Sequence, residues 1–513
     1  MVCLLEAGQS DSSPFVQVPA GFLKVIYDPK YTWGFNTEPV PGANGRTIAM
    51  IQGKVLGGGG SVNGMAYTRG QARDFDGWAQ LGNPGWSYSD VLPYFRRCER
   101  KAGAGDDRYR GREGRIGVTH LDWQNPLIDA FIESAVALGV PYNPDYNGAE
   151  QYGVGRYQFT IENGHRMSAA RGYLRSDVAR KRVDLRLHSF AQGLVVDGLR
   201  VVGVRYRSDG SDTMDEVRAR KEVILCAGAA NTAKLMQLSG IGPGSLLSEF
   251  GIETRLDLPG VGENLQDHYV SRMVFGVKDA PTINRMARSP HLLGHLANWL
   301  FGRPSMIGIG PIMGCLYGRS GPDAGTADYV LTFTPGSFKA GQMGKLDSVA
   351  GMTIGAYQLR PQSRGFVRLR SKDPMAPPII QTNYLAEDID QKVITEALKM
   401  CRRLANGQPL ARYCENEAYP GVGVKTDPDI LSYARQQGAS GYHISGTCRM
   451  GPESDKWSVV DAELRVHKID GLRIADTSIM PAITSGNTNA PVMMIAEKAA
   501  DLILGKSLPP ALP

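Results

Sequence analysis

GKVLGGGGSVNGMAYTRG, residues 53–70, is the stretch on which the reading of this chain turns. A short apolar strand runs into four consecutive glycines, 57–60, and then into small polar residues. Backbone stripped of side chains can approach a phosphate or a planar ring closely and aim N–H donors at it. The stretch therefore reads as the cradle of a ligand, with a plain surface turn as the alternative.

Upstream, the apolar run 2–5 ends in Glu6, Ala7 and Gly8, the pattern of a buried parallel strand with an acid at its carboxyl end. In a dinucleotide-binding βαβ unit such an acid holds ribose hydroxyls about 20 residues after a GxGxxG turn. Counting back from Glu6 passes the first residue, and no complete GxGxxG or Walker A loop occurs elsewhere in the sequence. The expectation is a doubly wound α/β domain whose first strand, glycine turn and helix are missing, with a sheet edge left unpaired.

Downstream, apolar residues at helical spacing predict helices over 89–100, 126–138, 168–178, 231–238 and 386–404. The segment 185–206 reads as a hairpin turning at Asp197-Gly198, and 222–226 as a buried strand. From about residue 268 strands and helices mix with frequent Pro and Gly, which predicts a second domain over 268–465 inserted between a first segment, 1–267, and a return segment, 466–508. The latter closes with a strand at 472–475 and a helix over 491–504. HLLGHLANWLF, 291–301, is expected to be a packed core helix, with an amphipathic lid at a membrane or an apolar substrate as the alternative.

Composition narrows the function. The chain has 513 residues, enough for two to four domains, and its net charge of +6 is spread over 57 basic and 51 acidic residues, so nucleic acid is not an expected partner. The cluster Arg96, Arg97, Arg100 and Lys101 reads as a solvated helix end. Seven cysteines without a CxxC pair argue against a disulfide framework or a zinc site, so no metal is expected. The apolar region near 298–317 is broken by Arg303, Pro304 and Pro311, so no membrane span is predicted, and no leader pattern opens the chain, which favours the cytoplasm.

Five stretches, spaced over the whole chain, resemble the glucose-methanol-choline (GMC) family of flavin-dependent oxidoreductases: LLEAG at 4–8, the glycine stretch at 53–70, GAANTAKLMQLSGIGP at 228–243, VGENLQDH at 261–268, and YHISGTCRMG at 442–451 with RIADTSIMPAITSGNTNAPVMMIAEKAADLI at 473–503. Within that family the chain looks like the bacterial choline-dehydrogenase-like alcohol dehydrogenases. The resemblance implies an FAD-binding domain, assembled from early, middle and final segments, and an inserted sheet-based substrate domain. It places Glu6 on the adenosine ribose, the Ala191 backbone at adenine, and Val55, Gly58, Gly60 and Ser61 in the glycine-rich cradle. Asn63, Gly64, Met65 and Ala66 lie against the isoalloxazine ring, Asp476 and Thr477 at the ribitol or pyrophosphate, and Asn489, Ala490 and Pro491 at the pyrimidine end. Relatives that tether FAD covalently carry a His where this chain has Val62, so FAD is expected to be non-covalent. Asn231-Thr232 replaces the usual Ser-Pro, a change expected to alter the helix start.

The implied activity is oxidation of a primary alcohol to an aldehyde. His443 matches the family base, and an imidazole with an ordinary pKa of about 6.5 suits removal of a hydroxyl proton near neutrality. Asn487 falls where relatives carry His or Asn and would donate to the developing alkoxide; Tyr442 is a substrate-side residue, and flavin N5 takes the hydride. His268, His291, His295 and His467 are read as structural. The expected partners are a small alcohol and an electron acceptor such as a quinone or oxygen, with peripheral contact to the inner membrane. The alternatives are a flavin-free or inactive truncated pseudoenzyme and a same-fold FAD lyase.

Overall fold

Alternation of side chains in the strands after residue 268 sets the architecture. In Tyr269–Val277, Tyr329–Thr334 and Gly351–Gln358, the residues Met273, Phe275, Leu331, Phe333, Ile354 and Ala356 point to one face and are buried. Helices Pro126–Ala137 and Asp388–Asn406 cover that face through Phe131, Leu398 and Leu404. The period of two places Val270, Arg272, Thr332, Thr334, Thr353, Gly355 and Tyr357 on the opposite face, where they line a cavity. These strands belong to a seven-stranded antiparallel sheet ordered Cys414–Tyr419, Tyr269–Val277, Gly351–Gln358, Tyr329–Thr334, Gly314–Gly318 and Gly153–Arg156, with Ala439–Ser440 pairing beside Tyr269–Val277. The computed structural model describes residues 1–120, 122–288, 290–339, 345–507 and 509–510. Leu508, the last residue of the expected return segment, lies outside the described residues.

Facing the sheet across the cavity is an α/β part drawn from distant stretches of the chain. Val2–Leu5 pairs in parallel with Val183–Arg186, and Val223–Leu225 in parallel with Leu472–Ile474. The hairpin Ser189–Asp197 and Arg200–Ser208 turns at Gly198 (φ 55°) and carries a third strand, Asp215–Arg218. Helices Gly228–Leu238 and Asn489–Leu504 complete this part. Early, middle and final segments thus build one α/β unit. The large sheet begins at Tyr269 but also takes Gly153–Arg156 from within the first segment, so the two parts share chain more intimately than a boundary at 268 implies.

Four local expectations differ from the structure. Residues 168–178 form not one helix but a π turn, Ala170–Leu174, followed by helix Asp177–Arg182, whose N-cap Ser176 accepts from the Ala179 N–H. A Cβ on Gly172 would lie 2.6 Å from Ile116 Cδ1, so this backbone is pressed against the strand beside it. The helix expected over 231–238 begins three residues earlier, at Gly228. The basic cluster is only partly solvated: Arg97 is exposed at the helix end but bound to Glu497 and Asp501, Arg100 binds Glu162, and Lys101 is buried. Helix His291–Leu300 carries no buried residue and is not part of the core.

The exit of the glycine stretch is locked by charge. Arg69 and Arg110 both pair with Glu99, and all three side chains are buried. Arg110 has a second acidic partner in Asp145, whereas Arg69 otherwise donates to the Tyr67 hydroxyl and the Tyr109 carbonyl. Breaking one member of a buried ion cluster leaves an uncompensated charge, which costs about 3–5 kcal/mol. Glu99→Gln is expected to destabilise the protein by that amount, read from the urea midpoint; a loss below about 1 kcal/mol contradicts this account of the lock.

Candidate active site

A cavity of about 890 Å³ lies between the glycine stretch, the inner face of the sheet and the final segment. Its floor is backbone. Gly57 and Gly58 sit at φ 90° and 55°, a conformation that side chains oppose, and a Cβ on Gly58 or Gly59 would meet nothing within 4 Å. The turn is held from below by Arg166, a fully buried guanidinium that donates to the carbonyls of Val16 (2.9 Å), Gly60 (3.2 Å) and Asn63 (2.8 Å). It also donates to Asn63 Oδ1 at 2.8 Å, and the Met65 N–H adds a second bond there at 3.0 Å. With Oδ1 taken, Asn63 Nδ2 is the amide group left for the cavity that this residue lines.

Glu6 closes the far end. Its Oε1 accepts from the Gly8 N–H at 2.7 Å, and burial raises its carboxyl above the ordinary range. Gly8 has a steric reason to be glycine: a Cβ there would lie 2.1 Å from the Lys54 carbonyl oxygen, because the chain at 8–9 crosses against 54–56. Asp476 faces the cavity with its carboxylate already committed. Oδ2 accepts from the Gly228 N–H (2.9 Å) and Thr232 Oγ1 (2.6 Å), and Oδ1 from the Ser478 N–H (2.8 Å). The departure at Asn231-Thr232 therefore has a structural use, since the threonine hydroxyl is a donor that proline lacks.

The chemistry-bearing end is a chain of hydrogen bonds. His268 Nε2 lies 3.0 Å from the Leu359 carbonyl oxygen, His268 Nδ1 lies 2.9 Å from His443 Nδ1, and His443 Nε2 lies 2.9 Å from Asn487 Nδ2. A carbonyl only accepts, so His268 carries its proton on Nε2 and its neutral Nδ1 is an acceptor. His443 must then donate from Nδ1, which leaves a lone pair on Nε2. Burial lowers His268 to about 4 and holds His443 well below its ordinary value, the latter also through His268. Both rings are neutral near pH 7. Asp267 anchors the turn that carries His443: its carboxylate accepts from the His443 N–H (2.6 Å), Ser440 Oγ (2.6 Å) and the Tyr384 hydroxyl, and burial raises it to about 6. Tyr442 adopts φ 64° in that turn, its N–H on Ser440 Oγ at 2.8 Å.

Most of the expected residues share this cavity: Glu6, Gly58, Gly60, Asn63, Gly64, Met65, Ala66, Tyr442, His443, Asp476, Thr477, Asn487 and Asn489 line it. Val55, Ser61, Ala490 and Pro491 are buried behind the wall, and the Ser61 hydroxyl is spent on the Leu56 carbonyl. Ala191 sits in the hairpin strand Ser189–Asp197, off the lining. Val62 is likewise buried yet reaches the lining. His268, Asp267 and Arg166 were not among the expected site residues; NLQDH places the first two side by side, but nothing in the sequence brings His268 to His443.

The donor set fits FAD. The side-chain-free floor and the N-terminus of helix Asn489–Leu504 suit phosphate and ring, Glu6 suits ribose hydroxyls, and Asn487 Oδ1 is buried without a protein partner on the cavity wall.

Family models described as GMC oxidoreductase match residues 7–270 and 361–496. The oxygen-dependent choline dehydrogenase of Sinorhizobium fredii (strain NBRC 101917 / NGR234) is 39% identical over 507 residues, spanning 98% of this chain and 91% of the relative. Among solved structures, pyridoxine 4-oxidase from Mesorbium loti superposes with a TM-score of 0.87 at 28% identity over 99% of this chain and 94% of that one. An FAD-dependent oxidoreductase from Chaetomium thermophilum gives 0.88 at 26% identity over 98% and 94%.

His268→Phe removes the acceptor that fixes the His443 tautomer and is expected to lower kcat/KM on the order of 10²-fold. It also removes a neighbour that depresses His443, so the acid limb of the pH profile should move up toward the ordinary imidazole value. His268→Asn, which keeps an acceptor near the place of Nδ1, should recover part of the rate. Equal losses in both variants with an unmoved pH profile would mean that His268 only fills space.

Proposed function

The chain belongs to the GMC oxidoreductase family, it is an FAD-dependent oxidoreductase, and from that premise we propose that it oxidises a primary alcohol to an aldehyde with His443 as the base. The observation that carries this reading is the lone pair on His443 Nε2, set by His268 and aimed beside Asn487 into the cavity. A substrate hydroxyl delivers its proton to Nε2. In the structure an Asn487 N–H sits on that lone pair; the substrate hydroxyl takes its place on Nε2, and the released amide N–H donates to the substrate oxygen as it gains negative charge. When bound, FAD supplies the acceptor for the hydride leaving the carbinol carbon. Tyr357 lies beside both imidazoles, its ring centroid 4.9 Å from that of His268 and 6.1 Å from that of His443, and it helps keep water from the proton path. In this reading residues 1–267 and 466–508 hold the cofactor, 268–465 shape the substrate side, a quinone or oxygen accepts the electrons, and the protein works in the cytoplasm with peripheral membrane contact.

Charge selects among alcohols. The acids lining the cavity among the described residues are Glu6, Asp476 and Glu497. Glu497 is bound to Arg97 and Tyr173, and Asp476 to the helix Gly228–Leu238. Toward the sheet the cavity instead carries Arg272. A quaternary ammonium group is held by aromatic faces and negative charge; the sheet side offers the aromatic rings of Tyr357 and Tyr442 but, among the described residues, no carboxylate. The lack of a carboxylate on that side favours a neutral alcohol over choline.

His443→Asn is expected to lower kcat by about 10²–10⁴-fold while FAD binding persists. The wild-type profile should hold as the pH falls below about 6.5, because the base loses competence only when it is protonated at its lowered pKa. FAD should be released into solution on denaturation, as Val62 offers no tether. Choline should be turned over less efficiently than dimethylbutanol, its uncharged carbon isostere; the reverse order by about tenfold would contradict the assignment of substrate charge.

A further inference from the structure

Helix His291–Leu300 inverts the usual placement of an apolar stripe. Its tethers are polar: Trp299 Nε1 donates to the Gly164 carbonyl at 2.8 Å, and Ser305 Oγ to the His295 carbonyl at 2.6 Å. Leu293, Leu296 and Leu300, at i, i+3 and i+7, share the outward face, and Phe301 continues it. They are 72%, 43%, 68% and 76% exposed. Soluble surfaces rarely carry so large a contiguous apolar face unless something docks there.

The sequence that carries the stripe is basic. No Asp or Glu occurs between Asp279 and Asp323, whereas Arg285, Arg288 and Arg303 flank the helix and are exposed. Lys339 and Lys345 are exposed too, and Arg288 donates to the backbone carbonyls of Leu346, Asp347 and Ser348. The helix also stands near the cavity rim. It packs on the turn Met306–Gly308, which packs on Pro19–Gly21; the chain beyond these turns supplies Phe22, Ile26, Pro311 and Ile312 to the cavity lining.

We propose that helix His291–Leu300 docks the protein on an anionic lipid surface, with Leu293, Leu296, Leu300 and Phe301 entering the headgroup boundary and Arg285, Arg288 and Arg303 facing lipid phosphates. This deepens the peripheral membrane contact given above and rests on it. Apolar burial and attraction to anionic headgroups act together in such helices, and the second part weakens with salt. Docking there brings the cavity rim to the bilayer, where an apolar alcohol or a quinone is most concentrated.

The test is co-flotation of the FAD-loaded protein with vesicles of phosphatidylcholine containing phosphatidylglycerol, compared with phosphatidylcholine alone. Wild type is expected to float with the anionic vesicles, less at high salt and less with neutral ones. Leu293→Glu with Leu300→Glu changes two exposed side chains and should keep the flavin spectrum while reducing flotation by at least about tenfold. Undiminished flotation of that variant overturns the assignment of this helix but leaves membrane contact standing; no flotation of wild type with either vesicle overturns both. A vesicle-free dimer that the variant abolishes would show that a second copy of this chain covers the face, and would also overturn the proposal. Alcohol-dependent turnover in vesicle-free buffer reports the enzymatic reading separately.

Discussion

Two neutral imidazoles buried back to back form the constraint on which the rest of this structure depends. His268 and His443 share one hydrogen bond between their Nδ1 atoms, and that bond requires one ring to donate and the other to accept. The Leu359 carbonyl decides which, and Asn487 receives the consequence at the other end. These four residues come from four distant stretches of the chain, so the interleaving of α/β part and sheet is what the site demands. Asp267 holds two of those stretches together, one residue before His268 and through the His443 N–H. Without these bonds, a buried histidine pair would incur desolvation without compensation.

The cofactor side obeys a different rule, that of backbone approach. The glycine turn leaves space above itself and is braced beneath by Arg166, whose donors fix the Asn63 amide as well as the turn. Asp476 and Thr232 similarly spend their polar atoms on each other and on a helix N-terminus. Rigid, hydrogen-bonded groups behind a cavity wall keep the wall in place without competing for the ligand.

Much of this was legible in the sequence because it is local. The Asp197-Gly198 turn, the strand 223–225 and the acid-started helix 388–406 each follow from neighbours along the chain. The glycine stretch and the placement of His443 and Asn487 in one cavity follow from motif resemblance. What was illegible depends on residues distant in sequence. Arg166 looks like any surface arginine until Val16, Gly60 and Asn63 converge on it. His268 looks like packing until His443 arrives, and HLLGHLANWLF has the composition of a core helix although its leucines face water. Periodicity identifies an apolar face; it does not say what that face meets.

The most direct test of the account is anaerobic mixing of the FAD-loaded protein with a neutral primary alcohol while the flavin absorbance is followed. The account predicts bleaching in a single phase, slowed when the carbinol carbon carries deuterium and abolished in the His443→Asn variant. If no alcohol bleaches a flavin that a chemical reductant readily bleaches, or if the His443 variant bleaches as fast as wild type, the account is contradicted.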